Sequence, residues 1–263
     1  MRPYLAIFGA RFRALLQYRA AALAGLATQS FWGYVRVMIF TAFYAASTAP
    51  QPLTLPEVLT YVWLTQALLL VLPWRPDPDV EQLVRSGNVA YELVRPVDLY
   101  GLWFARAVAQ RIAPALLRCL PMVVVAYAFL ELSAPAGAAA ALAFASSLVA
   151  TVALAAALTT LLSVSVLYTI SGGGARVFMV AVVNLLSGSI VPLPLLPDWL
   201  QVIANVLPFR GLMDTPFRLY MGHMPPADAA LALGHQLAWT LALVLLGRML
   251  LARALRRVVI QGG

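Results

Sequence analysis

Arg36 is the residue most in need of a chemical account. It lies inside a long apolar run, 21–46, where Gln29, Gly33 and Arg36 follow i, i+4, i+7 on one helical face with Trp32 beside them. A guanidinium at mid-depth in hydrocarbon costs several kcal/mol unless water or a partner satisfies it. The stripe therefore suits either a polar pathway or a bond to a neighbouring helix's carbonyl. A milder stripe, Asn184, Ser187, Gly188 and Val191, falls in the run 176–192. Ser187 and Ser189 with His235 are the available nucleophile–base set. Lone Ser and His residues in apolar runs are far more often packing groups, and no His/Cys cluster has metal-ligand spacing.

Two further stretches are punctuated. The first, VRSGNVAYELVRP at 84–96, lies in a polar segment, 74–100, between two apolar runs. Asp79 is placed to cap a helix beginning at Val80, with Gln82 completing a capping box. Gly87 then stops the helix, and a second short one runs from Asn88 to Val94 before Pro96. The interleaved Val80, Leu83, Val84, Leu93 and Val94 among mixed charges suggest a docking surface, although a solvated loop would carry similar charges. The second stretch, LSGSIVPLPLLPDWLQVIANVLP at 186–208, is apolar but broken by Pro192, Pro194 and Pro197. A short helix, 199–207, follows it. Arg210, Asp214, Arg218 and His223 then mix with Phe209, Phe217 and Tyr220, a composition suited to a membrane interface.

These elements need a frame, and composition supplies one. The chain has 263 residues, of which 62% are hydrophobic and 11% charged. A soluble domain would carry about 25% charged residues. An all-α integral membrane protein is expected, as a single domain over 1–263. All 18 basic residues are Arg, and the net charge of +8 reads by position, not as a nucleic-acid footprint. The single Cys119 excludes an intrachain disulfide.

A hydrocarbon core about 30 Å thick takes roughly 20 apolar helical residues. That ruler predicts six spans: 21–46, 57–73, 111–132, 136–168, 176–192 and 228–251. The fourth is Ala-rich, as suits close helix packing, and Pro114 and Pro121 are expected to kink the third. Arg210 and Arg218 fall on one face, and Arg36 and Arg118 within spans. The other arginines, including Arg2, Arg11, Arg13, Arg19, Arg75, Arg85, Arg95, Arg106, Arg111, Arg176, Arg248, Arg253, Arg256 and Arg257, lie at or near the opposite face. The bias predicts both termini in the cytoplasm. Arg118 is expected to snorkel. In residues 1–20, Leu5, Phe8, Phe12, Leu15 and Leu16 share an apolar arc that leaves out Arg2, Arg11 and Arg13. An interfacial helix against anionic lipid fits that pattern.

The pattern R-S-G-x-x-A-Y-E-L-x-R-P, followed by S-G-S-x-x-P-L-x-x-x-P and L-P-F-R, resembles the permease subunits of type-2 ATP-binding-cassette (ABC-2) exporters, in particular their six-span bacterial branch. The resemblance spans nearly the whole chain. It implies an ATPase-coupling region that includes Glu81, Val84, Arg85, Gly87, Tyr91, Glu92 and Arg95. It implies a translocation pathway past Gln29, Trp32, Arg36, Asn184 and Ser187, with the first and fifth spans beside a dimer axis. It also implies a re-entrant outer gate at Pro192, Pro194 and Pro197 within 192–227. Further, it implies a second permease subunit, identical or paralogous, and a dimer of ABC ATPases that binds ATP and magnesium, so that this chain needs no cofactor of its own. The setting would be the bacterial cytoplasmic membrane and the cargo a hydrophobic or amphiphilic molecule moved outward. The alternatives are an ion-driven secondary transporter, disfavoured because Glu57 and Glu131 sit only at span ends, an intramembrane hydrolase, and a non-transporting scaffold.

Overall fold

Thirty-two residues without a charged side chain form the longest helix, α7 (Ala138–Thr169), and the rest of the bundle is arranged around it. In the computed structural model, which describes residues 2–169 and 172–256, every regular element among the described residues is helical. Arg257, assigned above to the charged face, lies outside the described residues. The elements are α1 (Arg2–Leu16), α2 (Arg19–Ala46), α3 (Leu55–Leu68), α4 (Pro78–Arg85), α5 (Val89–Leu93), α6 (Leu99–Phe129), α7, α8 (Gly173–Leu186), α9 (Asp198–Val206), α10 (Asp214–Tyr220) and α11 (Pro226–Leu255).

Small residues let α7 sit at the centre. Ala155, Ala156 and Ala157 are fully buried, so neighbouring backbones approach closely where hydrocarbon gives no hydrophobic drive to pair. The main core joins Leu154 and Leu158 of α7 to Trp63 and Leu64 of α3, Met122 of α6, Phe217 of α10 and Leu243 of α11. A second core, Val80, Val89, Leu99, Trp103, Val164 and Leu251, closes the end of the bundle that carries α4 and α5.

Among the described residues three helices are long and apolar enough to cross a membrane: α6, α7 and α11. α2 has 28 residues, but Gln29, Ser30 and Arg36 lower its apolarity. α3 and α8 are short apolar helices. The 14 residues of α8 rise only about 21 Å, less than a hydrocarbon core about 30 Å thick.

Three boundaries differ from expectation. The helix expected from 111 begins at Leu99, because the Asp98 carboxylate accepts from the Gly101 N–H at 2.8 Å, and it continues through Pro114 and Pro121. The run expected to stay helical to 192 ends at Leu186: Gly188 takes φ +84°, and a Cβ there would collide with the Tyr61 hydroxyl. The Ser-Gly-Ser turn, not the prolines, breaks it. Pro192 and Pro194 belong to a 3-10 turn (Leu193–Leu195) and its cap, and Pro197 precedes α9. Finally, α4 starts at Pro78, not Val80. The cap is Asp77, which accepts from the Asp79 N–H at 2.9 Å, since Pro78 pre-sets the first helical φ and needs no donor acceptor.

α1 is separated from α2 at Gln17 and Tyr18 and packs along α6, its Tyr4 hydroxyl accepting from the Asp98 N–H at 3.1 Å. Leu5 stays exposed.

Candidate functional site

The end of α8 frees backbone carbonyls inside the bundle, and Arg36 takes one of them. Its Nη1 donates to the Ser189 carbonyl oxygen at 2.5 Å. In hydrocarbon an unpaired carbonyl and an unpaired guanidinium are each costly, and here one bond answers both. The Ser189 hydroxyl donates to Asn184 Oδ1 at 3.2 Å, which keeps the turn against α8. Around this bond lies a cavity of about 230 Å³ between α2, α3 and α8, bordered by Gln29, Trp32, Arg36, Gln66 and Asn184. Gln29 is buried and its Oε1 has no partner.

Four of the five residues expected along a pathway, Gln29, Trp32, Arg36 and Asn184, thus border one cavity. Ser187 does not. It is fully buried behind the wall, its hydroxyl accepting from the Ser189 N–H and its carbonyl from the Asp214 N–H, both at 3.2 Å. Gly33 turns instead to α3, where the Trp63 ring leaves no room for a Cβ. Gln66 was missed, although a lone Gln inside TYVWLTQALLLVL is a visible signal.

Arg118 donates from α6 to the Ala21 carbonyl at 2.9 Å, a helix-to-helix bond. Arg111, expected near a polar face, is 5% exposed and binds the Ala107 carbonyl at 2.9 Å and the Thr159 hydroxyl.

The α4–Gly87–α5 corner has a fixed inner face and a bare outer one. Inside, Arg106 of α6 reaches Asp77 at 3.3 Å, Asp79 at 3.1 Å and Glu92 at 3.2 Å, and Arg11 of α1 also pairs with Asp79. Glu92 is 6% exposed and accepts from Trp103 Nε1 at 2.8 Å. Its carboxylate faces the chain's own bundle. Glu81 pairs with Arg85 at 3.4 Å and accepts from the Gly172 N–H at 3.3 Å, while Val84 packs on the second core. Outside, Arg85, Gly87, Tyr91, Val94 and Arg95 are exposed, Tyr91 at 70% and Val94 at 80%. Gly87 makes the corner with φ +75°.

At the opposite end, α9, a 3-10 turn (Pro208–Leu212) and α10 form a cap. Leu200 and Ala204 of α9 pack on Leu186 and Leu193, leaving Trp199, Val202 and Val206 exposed. α10 is no surface segment: Asp214, Thr215, Phe217 and Leu219 are all buried. Among the described residues neither Asp214 carboxylate oxygen has a hydrogen-bond partner, and Arg218 stands 4.0 Å away. Burial lifts the Asp214 pKa to about 6, against the opposing charges of Arg218 and Arg210. A carboxylate one residue after Met213 in an apolar stretch was readable as unusual, but not as buried.

His235 faces the Val206 carbonyl at 3.3 Å, while Ser187 and Ser189 bond to each other and to Asn184. Neither serine pairs with His235.

The family described as ABC-2 family transporter protein matches residues 31–262. The chain belongs to the ABC-2 transporter family. It is a multi-pass membrane protein and a transport component, with the catalytic subunit elsewhere in such systems. The match takes in the ABC-2 helices from within α2 onward and leaves α1 before it. No curated protein matches the chain.

Proposed function

We propose that this ABC-2 chain is the permease subunit of an ATP-driven exporter in the bacterial cytoplasmic membrane. Six spans, α2, α3, α6, α7, α8 and α11, cross the bilayer with both termini cytoplasmic, and α1 lies in the inner interface. A second permease subunit, identical or related, pairs across α2 and α8. Both helices carry exposed apolar side chains: Phe31, Met38 and Ile39 on one, Val177, Phe178 and Leu185 on the other. A dimer of ABC ATPases, carrying ATP and magnesium, receives the outer face of the α4–α5 corner at Arg85, Tyr91, Val94 and Arg95, with Glu81, Val84, Gly87 and Glu92 shaping it. Closure of the ATPases pushes that corner, α6 passes the movement to the bundle through Arg106, and the cap around Pro192, Pro194 and Pro197 opens outward.

The observation that carries this reading is the corner: its inner face is fixed by Arg106 to two acids of α4 and one of α5, while an aromatic and a valine are left bare on its outer face. A large exposed apolar pair on a rigid mount is what a partner cleft needs. The test is co-purification with a candidate ATPase, followed by cross-linking from Tyr91→Cys in a Cys119→Ser background. A cross-link from Tyr91→Cys, absent from the α9 control Trp199→Cys, is expected. Complex formation with no cross-link at Tyr91 overturns the docking assignment.

A further inference from the structure

A cavity of about 660 Å³, within the size range of small-molecule sites, opens at the α4 end between α1, the end of α3, α6 and α8. Arg11, Arg75, Arg111 and Arg176 border it, and no carboxylate among the described residues does. Of the four, Arg11 alone forms ion pairs, with Asp77 and Asp79. Among the described residues the side chains of Arg75 and Arg176 make neither a hydrogen bond nor an ion pair. Four buried nitrogens on the same wall lack an acceptor: Arg11 Nε, Trp74 Nε1, Gln110 Nε2 and Arg111 Nε.

A buried donor left unpaired costs its full desolvation, and unpaired cations sharing a cavity repel one another. One kind of occupant relieves the repulsion: an anion with several acceptor oxygens, which planar guanidinium forks bind best. The rest of the wall is apolar, with Leu15, Leu70 and Val180. Leu69, Trp74 and Asn184 border both this cavity and the smaller one around Arg36, so the two lie side by side along that wall.

We infer that this cavity binds the anionic head group, phosphate in character, of an amphiphile whose apolar part lies along Leu15, Leu70 and Val180. Trp74 and Asn184 mark its route toward Arg36. Only the consequence that the exported cargo is itself anionic rests on the permease reading; the site stands without it.

The full-length protein in phosphatidylcholine nanodiscs is titrated with dodecyl phosphate, dodecyltrimethylammonium and inorganic phosphate. Saturable binding of dodecyl phosphate is expected, with the ammonium not binding and inorganic phosphate weaker by more than tenfold. Arg75→Gln with Arg176→Gln weakens dodecyl phosphate about tenfold or more, the effect of losing one or more charge-assisted hydrogen bonds. Both side chains are exposed and unpartnered, so the fold is retained, and Arg253→Gln on α11 serves as a control with unchanged affinity. Equal affinity for the ammonium, or no change in the double variant, overturns the site. Equal affinity for inorganic phosphate overturns its amphiphilic half. Repeating the titration in discs containing phosphatidylglycerol separates the sources: loss of dodecyl phosphate binding identifies a resident lipid head group, and unchanged binding a mobile amphiphile. No ATPase is present, so failure here leaves the permease reading intact, and failure of the ATPase cross-link leaves this site intact.

Discussion

Glu92 on α5 and Arg106 on α6 pair at 3.2 Å, and the same guanidinium holds Asp77 and Asp79 at the start of α4. A single side chain thus ties both short helices of the corner to a long one. Removing one partner of a buried pair leaves the other charge stranded, at a cost of about 3 kcal/mol. Arg106→Gln and Glu92→Gln are both expected to lower the thermal stability of the detergent-solubilised protein by that order. Arg85→Glu, on the exposed rim, should leave stability within about 0.5 kcal/mol while weakening ATPase binding. Equal destabilisation by all three would remove the division into an inner clamp and an outer face.

The acceptor of Arg36 is a main-chain carbonyl, so the bond survives loss of the Ser189 side chain. Ser189→Ala removes only the hydroxyl bond to Asn184, worth about 1 kcal/mol. Arg36→Ala strands the carbonyl and takes the one charge from the cavity. The expected contrast is near-normal cargo-stimulated ATPase activity in Ser189→Ala and its loss in Arg36→Ala, with the complex still assembled. Wild-type stimulation in Arg36→Ala would take the residue out of the pathway.

Gly188 combines a left-handed φ with contact against the Tyr61 hydroxyl. Gly188→Ala therefore meets two costs, about 1 kcal/mol or more of backbone strain and a clash with a buried ring. Tyr61→Phe removes the atom in the way but not the strain. In a double-mutant cycle, Tyr61→Phe should partly rescue the stability of Gly188→Ala. Strict additivity would show that the collision is relieved elsewhere.

Residue patterns made the bundle and its helical corner legible because those features are local. Gly87 has to end α4, and the apolar stretches of α6, α7 and α11 declare themselves by length. The stripe of Gln29, Trp32 and Arg36 was readable for the same reason, since one face of one helix is a local property. What escaped was set by other elements. Asp79 looked like a cap until Asp77 was seen two residues earlier with Pro78 behind it, and Glu92 looked exposed until Trp103 and Arg106 folded over it. Gly33 was misplaced because only packing reveals that Trp63 stands against it, and the burial of Arg111 against Thr159 was hidden for the same reason. The early end of α8 depends on Tyr61, more than a hundred residues away in the chain.

Asp214 carries the sharpest pH dependence. Burial raises its folded pKa from the ordinary 3.8 to about 6, so the native state holds a proton that the unfolded chain releases. A carboxyl shifted upward contributes its full stability below about pH 4, where both states are protonated. That contribution is lost as pH rises through about 6, on the order of 3 kcal/mol in all. Other carboxylates shift stability in the same window, so the informative quantity is the difference between wild type and Asp214→Asn. Thermal unfolding in detergent from pH 4 to pH 7.5 should show the variant gaining on the wild type by that order as pH rises, then levelling off above about pH 6.5. A difference that stays constant across the window would mean that Asp214 keeps its charge in the folded protein, with Arg218 closing the 4.0 Å gap to neutralise it.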